Sequence, residues 1–329
     1  PVYAGLCKTI SDESDDELLA SVLTTLLNLS RHDDTRVDRI GVMIAEALSK
    51  GGDFAVHAAS QLFGFHAEEL PTSILNVLLP FLLEVKPDNK GTIDNIDYGL
   101  SHMLRRGDFE ETMSFLEEML IAHRKVLSLD AFDSVASQLL KDPSLIATIL
   151  TRWFLRGDAA LCEGICALIG PSYGRNIHLE VDPSELNPLD KVRIIFVARK
   201  AIGYLFVFPV SAASVIISLM RQSQEDDVLA ELASHLFDPL LLNYTGETRE
   251  YVEKCAADEP QGKVKDHINA ALKQLHDYLE SLRSIGDILE LHPSEAQRSA
   301  YNRLFSRQKS RSLKKAEEQS VFLNLVTRM

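Results

Sequence analysis

Apolar side chains recur every three or four positions along nearly all of this 329-residue chain, and that period limits its fold more than any other feature. Leu18, Leu19, Val22, Leu23, Leu26 and Leu27 form one such stripe, and Val42, Met43, Ala45, Ala47 and Leu48 continue it in the next segment. Met113, Leu116, Met119 and Leu120 repeat the pattern, as do Ile146, Ile149, Leu150, Trp153 and Phe154. Each spacing places its residues on one side of an α-helix. Strand-like alternation is confined to Ile177-His-Leu-Glu-Val181, which is short. The chain therefore reads as all-α, with roughly fifteen helices joined by short turns.

The junctions carry further information. Gly52-Asp53, Gly107-Asp108 and Gly157-Asp158 each follow one helical stripe and precede another. Leu104-Arg-Arg-Gly-Asp108 and Phe154-Leu-Arg-Gly-Asp158 are close copies. Glycine closes a helix in the left-handed conformation, and aspartate accepts the amide hydrogens that open the next. Glu111, three residues beyond Asp108, completes a capping box with Asp in the Ser/Thr role. Asp142-Pro143, Asn187-Pro188 and Asp238-Pro239 each supply an N-cap followed by proline at the first helical position. His292-Pro293-Ser294, with Gln297, marks another start, while Pro80 is expected to kink or split the apolar stretch Ile74–Val85.

Helical hairpins repeating about every 50 residues, with Gly-Asp turns and no cofactor motif, resemble α-solenoids of the HEAT or armadillo kind over residues 10–250. That resemblance implies a stack of hairpins offering a long surface to a partner. The irregular pieces are Lys86–Gly91, Gly170–Leu186 and Ala256–Lys263. The second contains Gly170, Pro171, Gly174 and Pro183 and divides the reading into a repeat-like half at 1–170 and a second helical half at 171–290. A C-terminal basic helix with an apolar tail occupies 291–329.

Composition removes several classes. With 46% hydrophobic and 25% charged residues, the chain is neither collagen-like nor broadly disordered. Four cysteines cannot hold a small disulfide scaffold. Cys162 and Cys166, in Leu161-Cys-Glu-Gly-Ile-Cys166, are neighbours on one helix face, yet no second close pair completes a zinc site. They are read as small core residues. The opening Pro1-Val2-Tyr3-Ala4-Gly5 lacks the basic segment of a secretory signal, and a cytoplasmic location is expected. Ala201 to Met220 is uncharged over twenty residues, but Gly203, Pro209 and several serines interrupt it. It reads as a buried hairpin, with a turn at Phe208-Pro209 and a second helix opened by the proline, and no membrane partner is expected.

Charge is the sharpest asymmetry. Formal net charge is −14, yet Arg298, Arg303, Arg307, Lys309, Arg311, Lys314 and Lys315 follow one another without an acidic residue. Arg303, Arg307, Arg311 and Lys314 line one helical face, and Tyr301, Leu304 and Phe305 another. Three readings compete for this stripe: pairing with the chain's own acidic surface, such as Asp12–Glu17 or Glu225–Asp227; an acidic partner protein; or the phosphates of nucleic acid. With only Tyr301 and Phe305 interleaved, base stacking is thinly supported, and anionic membrane fits least. The apolar tail Val321-Phe-Leu-Asn-Leu-Val326 suits a docking groove.

Catalytic signatures are scarce. No His-Glu-x-x-His, phosphate-binding loop, dinucleotide fingerprint, nucleophile elbow or calcium loop occurs. His32-Asp33 and His276-Asp277 are the dipeptide used by HD-type metal-dependent phosphohydrolases, with His235 or His267 and Asp287 as further ligands around His276. His57 and His66 read as solvated or capping histidines, and the two Arg-Gly-Asp triplets, 106–108 and 156–158, as turns. The expectation is a non-catalytic scaffold or adaptor subunit, without cofactor or metal, that binds another protein. The alternatives are a nucleic-acid-associated subunit using residues 298–315 and, third, the phosphohydrolase.

Overall fold

The computed structural model describes residues 2–12, 15–32, 34–170, 177–186 and 190–285, and all regular structure among them is helical. The helices are α1 (Val2–Asp12), α2 (Asp16–Ser30), α3 (Val37–Lys50), α4 (Asp53–His66), α5 (Thr72–Leu83), α6 (Lys90–Arg106), α7 (Phe109–Ala122) and α8 (Asp133–Leu139). They continue as α9 (Pro143–Arg156), α10 (Ala159–Ile169), α11 (Lys191–Tyr204), α12 (Pro209–Gln222), α13 (Asp226–His235), α14 (Glu247–Asp258) and α15 (Lys263–Ile285). The chain divides into two compact units, 1–272 and 273–329. Of the second, only residues 273–285 at the end of α15 are described. The irregular stretch after Gly170 falls inside the first unit.

Within that first unit, helices pack on their second neighbours as well as their first. α2 lies on α4, α4 on α6 and α6 on α8; α3 lies on α5 and α5 on α7. Further along, α9 meets α11, α11 meets α13 and α12 meets α14. The apolar stripes supply the contacts: Leu19, Leu23, Leu26 and Leu27 of α2 and Ile93, Ile96 and Leu100 of α6 are buried. Phe63, Phe132, Trp153 and Phe154 are the largest fully buried side chains, each contributing about 1.5–3 kcal/mol of hydrophobic free energy.

The turn chemistry holds at some junctions and changes at others. Gly107 (φ 98°) and Gly157 (φ 70°) are left-handed and close α6 and α9. At the first, Asp108 N–H and Gly107 N–H donate back to Met103 and Leu104 carbonyls in a Schellman arrangement. Asp142 and Asp158 cap α9 and α10 with their own carboxylates. Asp108 makes no such cap, and no capping box forms with Glu111, because Arg106 Nε donates to the Asp108 carboxylate at 2.6 Å. Gly52 is extended rather than left-handed, and Asp53 lies inside α4. The carboxylate of Asp16 on α2 caps α4 instead, accepting Gly52, Phe54 and Ala55 N–H at 2.7, 2.9 and 3.0 Å. The same device recurs at α8, where Asp97 of α6 accepts Ser134 and Val135 N–H, both at 2.9 Å. One helix of a row thus caps the next.

Two prolines lie within helical stretches. α5 runs unbroken through Pro80 to Leu83. At Asp238 (φ −120°, ψ 115°) the helical path breaks, and it resumes from Pro239, where the sequence placed the start of a new helix. The uncharged hairpin forms as read: α11 ends at Tyr204 and Pro209 opens α12, whose residues Val210–Met220 are all buried. No helix among the described residues is long and apolar enough to cross a membrane.

The alternating segment after residue 176 is not a strand. It lies extended along α12, where three serines take the place of a neighbouring strand. Ser211 Oγ donates to Ile177 O at 2.7 Å, while Ser214 and Ser218 Oγ accept Leu179 and Val181 N–H at 2.8 and 3.0 Å. One helical turn, about 5.4 Å, nearly matches two extended residues, about 6.6 Å, so serines spaced by three and four meet every second residue. Leu179 and Val181 are buried beneath this ladder.

Candidate functional site

The basic stripe, Arg298, Arg303, Arg307, Lys309, Arg311, Lys314 and Lys315, lies outside the described residues, as do Asn187-Pro188, His292-Pro293-Ser294 and the apolar tail. Four carboxylates of the acidic runs expected to face the stripe are already engaged. Asp15 caps α2 through Glu17 and Leu18 N–H, and Asp16 caps α4. Asp226 pairs with Lys263 at 3.2 Å and reaches His267 at 3.9 Å, and Asp227 pairs with Lys191.

Among the described residues, the candidate chemistry-bearing side chains do not converge. His276 is exposed and lies 3.2 Å from Glu280 one turn along α15. His235 is half-buried, with Nε2 sealed from solvent and unpartnered, and desolvation holds it below the ordinary imidazole range. Asp33 and Asp287 lie outside the described residues. No cluster of three or more His, Cys, Asp or Glu among the described residues is placed to hold a metal ion. Cys162 is buried behind α9, and Cys166 Sγ donates to Tyr204 O at 2.9 Å. Burial pushes both thiols up to about 11, far from the low values of reactive cysteines. His57 bonds Thr92 Oγ1 at 2.9 Å, and His66 faces Glu69 at 3.7 Å. Arg106 and Arg156 of the two Arg-Gly-Asp turns are engaged within the chain, the part-buried Arg106 with Leu70 O and the half-exposed Arg156 with Glu117, each at 2.7 Å.

What the packing does assemble is a pair of surfaces. On the first, α4 and α6 approach closely because each contributes a glycine that faces the other helix. A Cβ on Gly64 would lie 2.9 Å from Asn95 O, and one on Gly99 would overlap the Phe63 ring. Phe54, Gln61 and Phe65 share the exposed side of α4, with Phe65 65% exposed. The Phe65 ring meets Tyr98 of α6 edge-on at 6.4 Å, and Tyr98 meets His102 at 5.0 Å. Arg105 Nε bonds Glu68 at 3.0 Å beside them. Glu68 also approaches His102 Nδ1 at 3.3 Å, although not in hydrogen-bond geometry. Asp97, next to Tyr98, ties this part of α6 to α8, so the aromatic shelf sits on a rigid support.

The second surface is a groove of about 510 Å³ between α5 and α7, with Leu79, Pro80, Leu83 and Phe115 in its walls and Glu110, Glu111 and Glu118 along it. Neither surface was singled out from the sequence. A signal existed for the first: Phe63 and Phe65 are two apart, so a helix cannot bury both on one side. No protein-family model matches the chain, and neither does any curated protein or solved structure.

Proposed function

We propose that this chain is a non-catalytic protein-binding scaffold or adaptor subunit, built as a HEAT- or armadillo-like stack of helical hairpins. Support for the stack comes from second-neighbour packing, α2–α4–α6–α8 beside α3–α5–α7, and from the carboxylates that cap one helix of a row from the one before. The observation that carries the binding reading is the Phe65–Tyr98 pair, two rings left in water on closely packed helices. Rings held at fixed geometry bind partners at low entropic cost and are enriched among residues that dominate interfaces. Four unpaired thiols fit a reducing, cytoplasmic setting. Nucleic acid is the second reading, favoured by the seven basic residues between Arg298 and Lys315.

The test is retention of partners from native lysate by the tagged full chain, with and without nuclease, against the Phe65→Ser/Tyr98→Ser variant. A stoichiometric protein should survive nuclease and be lost from the variant, whose thermal unfolding stays unchanged. Retention that disappears with nuclease moves the function to the basic segment. Retention indifferent to both rings overturns the shelf.

A further inference from the structure

We infer that the groove between α5 and α7 is a docking site for a basic amphipathic helix of a partner protein. The inference rests on the scaffold reading and names the chemistry of one partner. Leu79, Leu83 and the ring of Pro80 line one side of the groove, and Phe115 the other, so an apolar face has somewhere to bury. Its charged side chains are all carboxylates. Pro80 has no N–H to give the carbonyl of Asn76, which lines the same groove. Glu110 is taken by Arg152 at 2.8 and 3.1 Å, but among the described residues Glu111 and Glu118 have no cationic partner.

Spacing gives the site its specificity. Glu111 and Glu118 stand seven residues apart on α7, two turns or about 10.5 Å, with Ser114 and Phe115 between them. A helix laid in the groove meets both carboxylates if it carries Lys or Arg two turns apart, with apolar residues on the same side between them. That is recognition of an amphipathic helix by a groove, with charge setting the register. Phosphate-bearing ligands are repelled by the same carboxylates, and two copies of this face would bring like charges together.

The test uses the full chain and a fluorescein-labelled peptide of about 14 residues, long enough to span α7. It contains Leu, Ala and Lys, with Lys two turns apart on the side that bears Leu, and a scrambled peptide of equal composition serves as its control. Fluorescence anisotropy should show tighter binding of the ordered peptide. Glu111→Lys/Glu118→Lys, both exposed positions, should weaken that binding about tenfold or more, as loss of two close charge pairs would. The charge-matched reversal Glu250→Lys/Asp258→Lys on α14 should leave it within about twofold, since rim charges far from a contact act mainly on encounter. Equal binding of the two peptides, or equal weakening by the two reversals, overturns the groove assignment. Phe65→Ser/Tyr98→Ser should bind the peptide as wild type does. Loss of the groove result with retention of the shelf-dependent partner would sink this inference alone.

Discussion

Glu117 of α7 is the buried acceptor that joins α7 to α9, and removing it gives a graded test of that packing. Its Oε1 accepts the Trp153 indole N–H and its Oε2 the Arg156 guanidinium, both at 2.7 Å, and Trp153 has no exposed surface. In Glu117→Ala the indole N–H stays sealed from water and loses this acceptor, a cost of about 1–3 kcal/mol. The Arg156 arm adds only about 0–1 kcal/mol, because that side chain is half exposed and solvent screens the pair. A small void adds to the loss, while relief of the carboxylate's own desolvation subtracts from it. The expected net loss is about 2–3 kcal/mol, a fall in Tm of roughly 4–10 °C for a unit of this size. Glu117→Gln keeps an acceptor for the indole and should lose only about 1 kcal/mol. Urea denaturation followed by tryptophan fluorescence reads this site directly, because Trp153 is the chain's single tryptophan. Equal losses for the two variants would refute the reasoning, since charge rather than the acceptor would then join the helices. A loss below about 0.5 kcal/mol for Glu117→Ala, ordinary for an unimportant surface position, would refute it as well.

Gly99→Ala should destabilise by about 1–3 kcal/mol, the usual cost of overpacking, because the added methyl overlaps the Phe63 ring. Adding Phe63→Leu should return part of that loss, and strictly additive losses in the double-mutant cycle would show that the two positions are not in contact. Acidification should weaken the fold through two histidines: burial, then Arg105, hold His102 below its ordinary range, and burial, then Arg199, do the same for His235. Between those depressed values and the unfolded value of about 6.5, the unfolded chain binds protons that the folded chain does not, so stability is full above that window and falls as pH drops through it. The urea midpoint of wild type should therefore fall from about pH 7.5 to about pH 5.5 more than that of His102→Gln/His235→Gln, and an undiminished fall in the variant would exclude these groups as its source.

What was legible in the sequence was whatever depends on neighbours within about one helical turn. The α2 stripe from Leu19 to Leu27, the left-handed Gly107 and Gly157, the caps at Asp142 and Asp158 and the proline-opened α12 are of this kind. Each is decided by side-chain period or by the conformational limits of one residue, so local pattern was sufficient. Where a more distant group competed, local reading failed. Asp108 looks like a cap, but Arg106 claims its carboxylate; the Gly52-Asp53 turn looks like its two fellows, but Asp16 caps it from α2.

The sequence by itself therefore determined that the described residues are mainly helical, where α6 and α9 end and α9, α10 and α12 begin, and which residues are able to enter a core. Only the tertiary structure decided which helix meets which, and thus which carboxylates cap, which serines hold the extended segment and which rings are left in water. Asp16 with Gly52, Asp97 with Ser134, and Ser218 with Val181 are all joined across stretches of chain far longer than a helical turn. Such contacts leave no periodic trace, because they depend on shape and leftover hydrogen-bonding capacity after the apolar faces have packed. Phe65, Tyr98, Glu111 and Glu118 belong to the same class: their residue types are ordinary, and only their exposure on packed neighbours singles them out for the binding roles proposed above.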